Sequence, residues 1–385
     1  MPQRIVVDLL GYTGARGGTE TYARELLARL PALLPEIEWV ALANRRGAGE
    51  ARSFFPGSVR TMASVGADRV TWALGAVLGI EHETRRAHAS GLWCPANFGP
   101  ITRGTKRVVT IHDAIYHASG GTALARSVSA TSSWLMTRSA QTADQVITVS
   151  ESAARAITEH MAVPPERITV IPNGTSLPDP PKDPWNSLVA LGITPGRKIV
   201  LSTGNRLPHK NFPALLRALH AITPQQRPLL VVAGGGTSDP LHRELAALGL
   251  TDDVILPGWV TPEQLEALYA VADLYVCPSL EEGFGLPVVD ALRRGVPVLA
   301  NDIPVLREVG GTFARYADAT HLGDFSRAMV ACLQTTQRAA DKSARTEWAA
   351  RFSWDASATA VAALLADTLV GSGGAARSSH ARRDS

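Results

Sequence analysis

Short β-branched runs that each lead into a stretch with helical spacing constrain this chain most, because strand followed by helix, repeated, builds a parallel sheet. In the first half the runs are Ile5–Leu9, Trp39–Leu42, Val108–His112, Gln145–Val149 and Ile168–Ile171. After the first, Tyr22, Leu26, Leu27 and Leu30 share one helical face while Arg24, Glu25 and Arg29 share the other, so that helix lies on a sheet. The alternation breaks at Leu177–Trp185, where four prolines argue against helix and central strand alike. It resumes with Lys198–Thr203, Leu229–Ala233, Val254–Leu256, Leu274–Cys277 and Val296–Ala300. Thr261 as N-cap, Pro262 at the first position and Glu263 in the first turn predict a helix over 263–272.

The expected organisation is two doubly wound α/β domains, and 385 residues suffice for two cores. The N-terminal domain takes 1–178, a linker 179–190 and the C-terminal domain 191–350. An alanine-rich helix within 351–370 is expected to pack back toward the N-terminal domain, and 371–385 has the composition of a disordered tail. A chain that is 45% hydrophobic and 19% charged is neither fibrous nor largely disordered.

The net charge is +3, of which the tail supplies +2, and there is no basic stripe interleaved with aromatics; nucleic acid is not an expected partner. Cys94, Cys277 and Cys332 have no metal-ligand spacing, and an odd count argues against a disulfide framework, so they read as buried thiols in a reducing compartment. The N-terminal apolar run is too short for a signal sequence, and no window approaches 18 uncharged apolar residues. The expectation is a cytoplasmic protein with at most peripheral contact to the inner face of the plasma membrane. Trp134-Leu135-Met136-Thr137-Arg138 reads first as core helix, and second as an apolar-basic face for an anionic membrane carrying a lipid-linked acceptor.

The chemistry concentrates in Ser279-Leu280-Glu281-Glu282-Gly283-Phe284-Gly285-Leu286-Pro287-Val288-Val289-Asp290-Ala291-Leu292, which follows a strand and opens a helix. Free N–H groups and the positive dipole end of such a helix suit a diphosphate, and glycine lets the ligand come close. Glu282 and Asp290, eight residues apart, can then accept hydrogen bonds from sugar and ribose hydroxyls.

With that acidic pair eight apart, the chain resembles the family 4 (group 1) glycosyltransferases, which have the GT-B fold of two Rossmann-like domains facing across a cleft. The likeness covers about residues 4–365 and extends to Gly17-Gly18-Thr19, Ile111-His112-Asp113, Val149-Ser150, Ile171-Pro172-Asn173-Gly174 and Gly204-Asn205-Arg206-Leu207-Pro208-His209-Lys210-Asn211. It implies transfer of a hexose from a nucleotide-diphosphate sugar to a hydroxyl acceptor with retention of anomeric configuration. Arg206 and Lys210 would hold the diphosphate and offset its growing charge as the glycosidic bond breaks. Gly17 and Gly18 would let the N-terminal domain approach the same phosphates. His112, beside Asp113 at a strand end, would orient the donor sugar and donate to developing charge, with Asn205, Gly283, Phe284, Gly285 and Leu286 lining the donor.

No cofactor is implied, and since there is no Asp-x-Asp pair, no metal is expected. The resemblance leaves GDP-mannose, UDP-hexoses and dTDP-deoxysugars open as donors. The Arg-Leu-Pro-His-Lys-Asn form of the basic motif leans toward mannose and cell-surface polysaccharide. The family pattern has Glu where this chain has Asp290, one methylene shorter, which displaces the ribose contact or routes it through water. Three alternatives stand beside this reading: glycosylation of a small-molecule natural product, a GT-B epimerase or phosphorylase, which labelled donor without acceptor would reveal, and a decayed binding subunit without turnover.

Singly, Glu281 and Glu282 read as solvated loop acids, Arg206 and Lys210 as a surface pair and His112 as a satisfied strand-end histidine; only their common order favours a site. Gly234-Gly235-Gly236 reads equally as structural turn or ligand contact, and His117, His209, Cys94 and Cys277 read as structural.

Overall fold

The structure, a computed structural model, describes residues 3–14, 17–66, 72, 75–113, 123–236 and 238–370. His117 and the tail 371–385 lie outside these. The chain divides into two compact units, Met1–Asn173 with Trp354–Ser385, and Gly174–Ser353.

The first unit holds seven parallel strands: β1 Gln3–Leu9, β2 Ile37–Ala43, β3 Ser58–Thr61, β4 Gly91–Cys94, β5 Arg107–Thr110, β6 Gln145–Thr148 and β7 Ile168–Val170. Their order is β3-β2-β1-β4-β5-β6-β7. The second unit holds six: β8 Ile199–Thr203, β9 Leu229–Ala233, β10 Val254–Ile255, β11 Leu274–Cys277, β12 Val298–Asn301 and β13 Arg315–Ala317, in the order β10-β9-β8-β11-β12-β13. Every named pair of neighbouring strands is parallel. Two such sheets with interleaved helices are the two doubly wound domains that the GT-B fold requires.

Both sheets are dry at their centres. Val6, Val40, Leu92 and Val109 belong to one buried core, and Val200, Leu230, Val276 and Leu299 to the other. Strands covered on both faces need continuous apolar runs, which is why the central strands other than β4 were legible. β3, β4 and β13 were not. β3 (Ser-Val-Arg-Thr) is an exposed edge, β4 begins on a glycine, and β13 has three residues. Gly91 opens β4 because the C-terminal segment crosses there: a Cβ would meet Leu369 Cβ at 2.6 Å.

Two elements depart from expectation. The proline-rich stretch carries a helix, Pro184–Val189, because its last proline sits at the first helical position, where no N–H is needed, and the Asp183 side chain caps it by accepting from the Asn186 amide at 3.3 Å. In the helix Ala123–Thr142, Met136 is buried but Trp134 is 54% exposed, so the core-helix reading holds for one face only. The helix Trp354–Leu365 belongs to the first unit: Ser357 Oγ donates to the Pro172 carbonyl at 2.6 Å, and Trp354 packs against Tyr22.

The helix Pro262–Val271 starts on a complete capping box, in which Thr261 Oγ1 accepts from the Gln264 amide (3.1 Å) and Gln264 Oε1 from the Thr261 amide (2.9 Å). Thr261→Ala should therefore cost about 1 kcal/mol, read as a lower urea midpoint with an unchanged slope.

Candidate active site

In parallel sheets the loops after the strands' C-terminal ends carry ligands, and in the second unit three such loops, after β8, β9 and β11, carry the candidates. The loop after β8 is held by Arg206. Its Nε donates to Asp239 Oδ2 (2.8 Å), Nη1 to the Gly204 carbonyl (2.8 Å) and Nη2 to the Val232 carbonyl (2.9 Å), with the guanidinium 5.0 Å over the Phe212 ring. The Arg206 and Asp239 side chains are only 8% and 2% exposed. Each guanidinium nitrogen thus holds a bond to the frame of the loop.

Gly234 and Gly235 are accordingly structural. A Cβ on Gly235 would meet Asp239 Oδ2 at 2.6 Å and Arg206 Nη2 at 3.0 Å, and Gly234, at φ +91°, lies against the Gly204 carbonyl. Asp239 carried no sequence signal, since a lone aspartate after a glycine run reads as an ordinary turn residue.

Lys210, four residues further on, reaches Glu282 in the loop after β11, with Nζ to Oε1 at 2.6 Å and both side chains largely buried. The two loops are joined by the backbone as well: the Leu280 amide donates to the His209 carbonyl at 2.8 Å, and Asn211 Nδ2 to the Pro278 carbonyl at 3.2 Å. Burial, with Lys210 adjacent, pushes the His209 imidazole below its ordinary value. Burial also raises Glu281. Asn205 is exposed, and its Oδ1 accepts from the Leu207 amide at 3.3 Å.

Beyond Glu282, Gly283 leads to buried Phe284 and to Gly285, the N-cap of the helix Leu286–Arg293, at φ +95° with no side-chain cap. A Cβ on Gly285 would both strain the backbone and meet Leu306 Cδ2 at 2.8 Å. With Pro287 in the first turn and no capping side chain, the helix end can receive an anion. Asp290, one turn into the helix, bonds to the Thr175 hydroxyl and lies 3.6 Å from Arg294. Burial raises its carboxyl, while Arg294 and Thr175 pull it down. The second unit thus brings Lys210, Glu282, Gly285 and the helix end together.

In the first unit, His112 follows β5 and is 6% exposed. Its amide donates to Asn97 Oδ1 at 2.7 Å, and its Nε2 lies 2.8 Å from the Pro95 carbonyl. Since a carbonyl only accepts, the proton sits on Nε2, and Nδ1 keeps the lone pair. Burial pushes the imidazole down to about 4, so the ring is neutral at pH 7. With Nε2–H on the Pro95 carbonyl, Nδ1 is the ring's acceptor. Tyr22 packs edge-on at 4.7 Å between centroids.

Asp113 follows half-buried. Gly17, extended at φ −168°, caps the helix Gly18–Leu27 without a side chain, and a Cβ there would touch nothing within 4 Å. Asp8, at the end of β1, was passed over: burial pushes its carboxyl up to about 7, and Oδ1 accepts from the Leu10 amide at 2.9 Å. Among the described residues no group of three or more His, Cys, Asp or Glu could hold a metal ion, and no helix is long and apolar enough to cross a membrane.

Comparison with known proteins places the sequence. The family described as glycosyl transferases group 1 matches residues 185–315, and that described as glycosyltransferase family 4 matches residues 16–177. The chain is 33% identical over 241 residues to D-inositol 3-phosphate glycosyltransferase 2 of Catenulispora acidiphila, covering 57% of this chain and 55% of that protein. It is 30% identical over 224 residues to O-antigen chain mannosyltransferase B of Escherichia coli, covering 56% and 59%. The chain thus spans about half the length of these curated relatives. Among solved structures, sucrose-phosphate synthase from Thermosynechococcus elongatus superposes with a TM-score of 0.74 at 17% identity, covering 96% of this chain and 100% of that one. Anabaena HepE in complex with UDP gives 0.71 at 18% identity, covering 95% and 100%.

Two outcomes follow from the geometry. The unfolded chain protonates His112 near 6.5 and the folded chain only near 4, so the unfolded state holds more proton in between and stability falls as pH drops through that window. His112→Gln should flatten this limb of a stability–pH curve; an unchanged limb would contradict a buried neutral ring. Asp239→Ala strands the buried Arg206 charge and should cost about 3–5 kcal/mol in chemical denaturation.

Proposed function

Because the chain belongs to the group 1 glycosyltransferases of family 4 type, we propose that it transfers a hexose from a nucleoside-diphosphate sugar to a hydroxyl acceptor with retention of configuration, without a metal. The observation that carries this reading is the Lys210–Glu282 pair set beside the uncapped helix end at Gly285. Cation, carboxylate and helix dipole there match the diphosphate and hydroxyl groups of a sugar nucleotide.

In this mechanism the diphosphate sits against the first turn of Leu286–Arg293 and takes the Lys210 ammonium, which tightens as the leaving group gains charge. Glu282 accepts from sugar hydroxyls, and Asp290 from the ribose. Arg206, locked by Asp239, keeps the Lys210 loop in place and contributes its charge from that fixed position. Phe284, Leu286, Gly283 and Asn205 shape the same edge of the sheet. For the first unit the same reading assigns His112 Nδ1, with Asp113 next to it in sequence, as an acceptor for hydroxyl groups, and Gly17 and Gly18 as a helix start without a side-chain cap. The glycosidic bond breaks with both electrons leaving on the diphosphate oxygen. The acceptor hydroxyl bonds to the anomeric carbon from the same face, and a phosphate oxygen takes its proton.

A mannose donor is favoured: two relatives named as mannosyltransferases, O-antigen chain mannosyltransferase B and WbdA, support it together with a cell-surface polysaccharide acceptor. We place peripheral contact with an anionic membrane surface at the exposed Trp134, four residues before the exposed Arg138 on the same helix.

A thermal-shift screen with UDP, GDP, dTDP and their sugar conjugates, with and without EDTA, tests the reading. A ligand at 100 times its Kd stabilises by about 2.7 kcal/mol, so one nucleotide should raise Tm despite EDTA. No shift with any of them defeats the assignment. With the donor known, Lys210→Ala should lower kcat/KM by about 2–4 kcal/mol of transition-state stabilisation; unchanged kcat/KM would remove Lys210 from the mechanism.

A further inference from the structure

The chain enters the second unit at Gly174 and leaves it at Ser353. Just inside that unit the entering and leaving segments lie side by side: Thr175 and Ser353 form a parallel bridge, and the Thr175 amide donates to the Phe352 carbonyl at 3.0 Å. The stretch from Glu282 to Asp290 is braced on these segments at two points. Phe284 meets Phe352 edge-on, with centroids 5.5 Å apart and planes at 85°, and the Thr175 hydroxyl donates to Asp290 Oδ1. The same oxygen lies 3.6 Å from Arg294 Nη1. Arg294 is itself fixed by two bonds to Glu266, at 2.5 and 2.7 Å, and by the Tyr269 ring 4.8 Å from its guanidinium.

The buried face of the helix is supplied by Val288, Val289, Ala291 and Leu292, not by Asp290. The Asp290 side chain remains 32% exposed and could have been left to water. Instead one carboxylate oxygen is tied to a residue that is distant in sequence and itself held at its backbone. A carboxylate anchored through one oxygen has its second set in direction, and a ligand that uses it need not order the side chain. This matters most for an aspartate, whose short stem leaves little other reach.

We propose that Thr175 is a positioning residue for nucleotide binding: its hydroxyl holds Asp290 Oδ1 so that Oδ2 accepts from the ribose hydroxyls of a nucleoside diphosphate. The inference rests on the donor-site reading above. It also fixes the sign of a pH effect. The Thr175 hydroxyl and Arg294 favour the charged carboxylate, whereas burial and Glu266 oppose it, and the Tyr269 phenol also faces this group. Removing the hydroxyl moves the acidic limb of nucleotide binding to higher pH.

The test is calorimetric titration of the full chain, wild type, Thr175→Val and Thr175→Ser, with UDP, GDP and dTDP and the 2′,3′-dideoxy counterpart of each. Thr175→Val should weaken the wild type's preferred nucleotide about tenfold, the scale of one charge-assisted hydrogen bond, and leave its dideoxy counterpart unaffected. Thr175→Ser should restore affinity to within about threefold, and the acidic limb should rise in pH only for the valine variant. Equal losses for ribose and dideoxyribose ligands, or no loss at all, overturn the role of Thr175 while leaving the donor site standing. Wild-type protein that binds none of the three nucleotides overturns both readings.

Discussion

The buried pair between Arg206 and Asp239 is the constraint on which the second unit's ligand edge depends. A guanidinium with each nitrogen bonded, stacked on Phe212, ties the ends of β8 and β9 and the loop bearing Asp239 into one frame. Such a pair adds little net stability over an apolar replacement, but removing either partner leaves an uncompensated charge. Its yield is geometric: the loop is fixed four residues before Lys210, and the close passage of the arginine and Asp239 forces glycine at 235, beside Gly234, which the Gly204 carbonyl and a positive φ require.

From that frame follows the electrostatic character of the edge. Arg206 has Asp239, and Lys210 has Glu282, so the cations are matched by carboxylates before any ligand arrives. In the proposed function an incoming diphosphate gains most where it draws Lys210 from Glu282 and frees that carboxylate for hydroxyl donors. The exchange substitutes one charged partner for another within a partly dehydrated setting, where such bonds are strong. The first unit contributes no comparable charge at His112, whose burial keeps it neutral and whose Nε2–H is spent on Pro95.

The 282–290 stretch shows how site geometry is inherited from distant chain. Gly285 sets the entry angle of the helix, and Phe284 and Asp290 rest on segments around residues 175 and 352. The motif is local in sequence, but its side chains are oriented by the segments that join it to the rest of the molecule.

The sequence by itself determined the two parallel-sheet domains, because buried strands must be continuously apolar and their crossover helices amphipathic. It also marked the helix end at Gly285 and the acidic pair Glu282 and Asp290, since positive φ and the spacing of a helix are properties of the chain's immediate neighbourhood. It left β3 and β13 invisible, for these are edge strands stabilised by pairing rather than by pattern, and β4, a central strand of four residues that opens on a glycine. Only the tertiary structure decided that Arg206 faces inward, that Lys210 meets Glu282, that Thr175 holds Asp290 and that His112 is neutral. Each of these is a contact or a desolvation between residues far apart in sequence, and neither leaves a periodic trace in the order of amino acids.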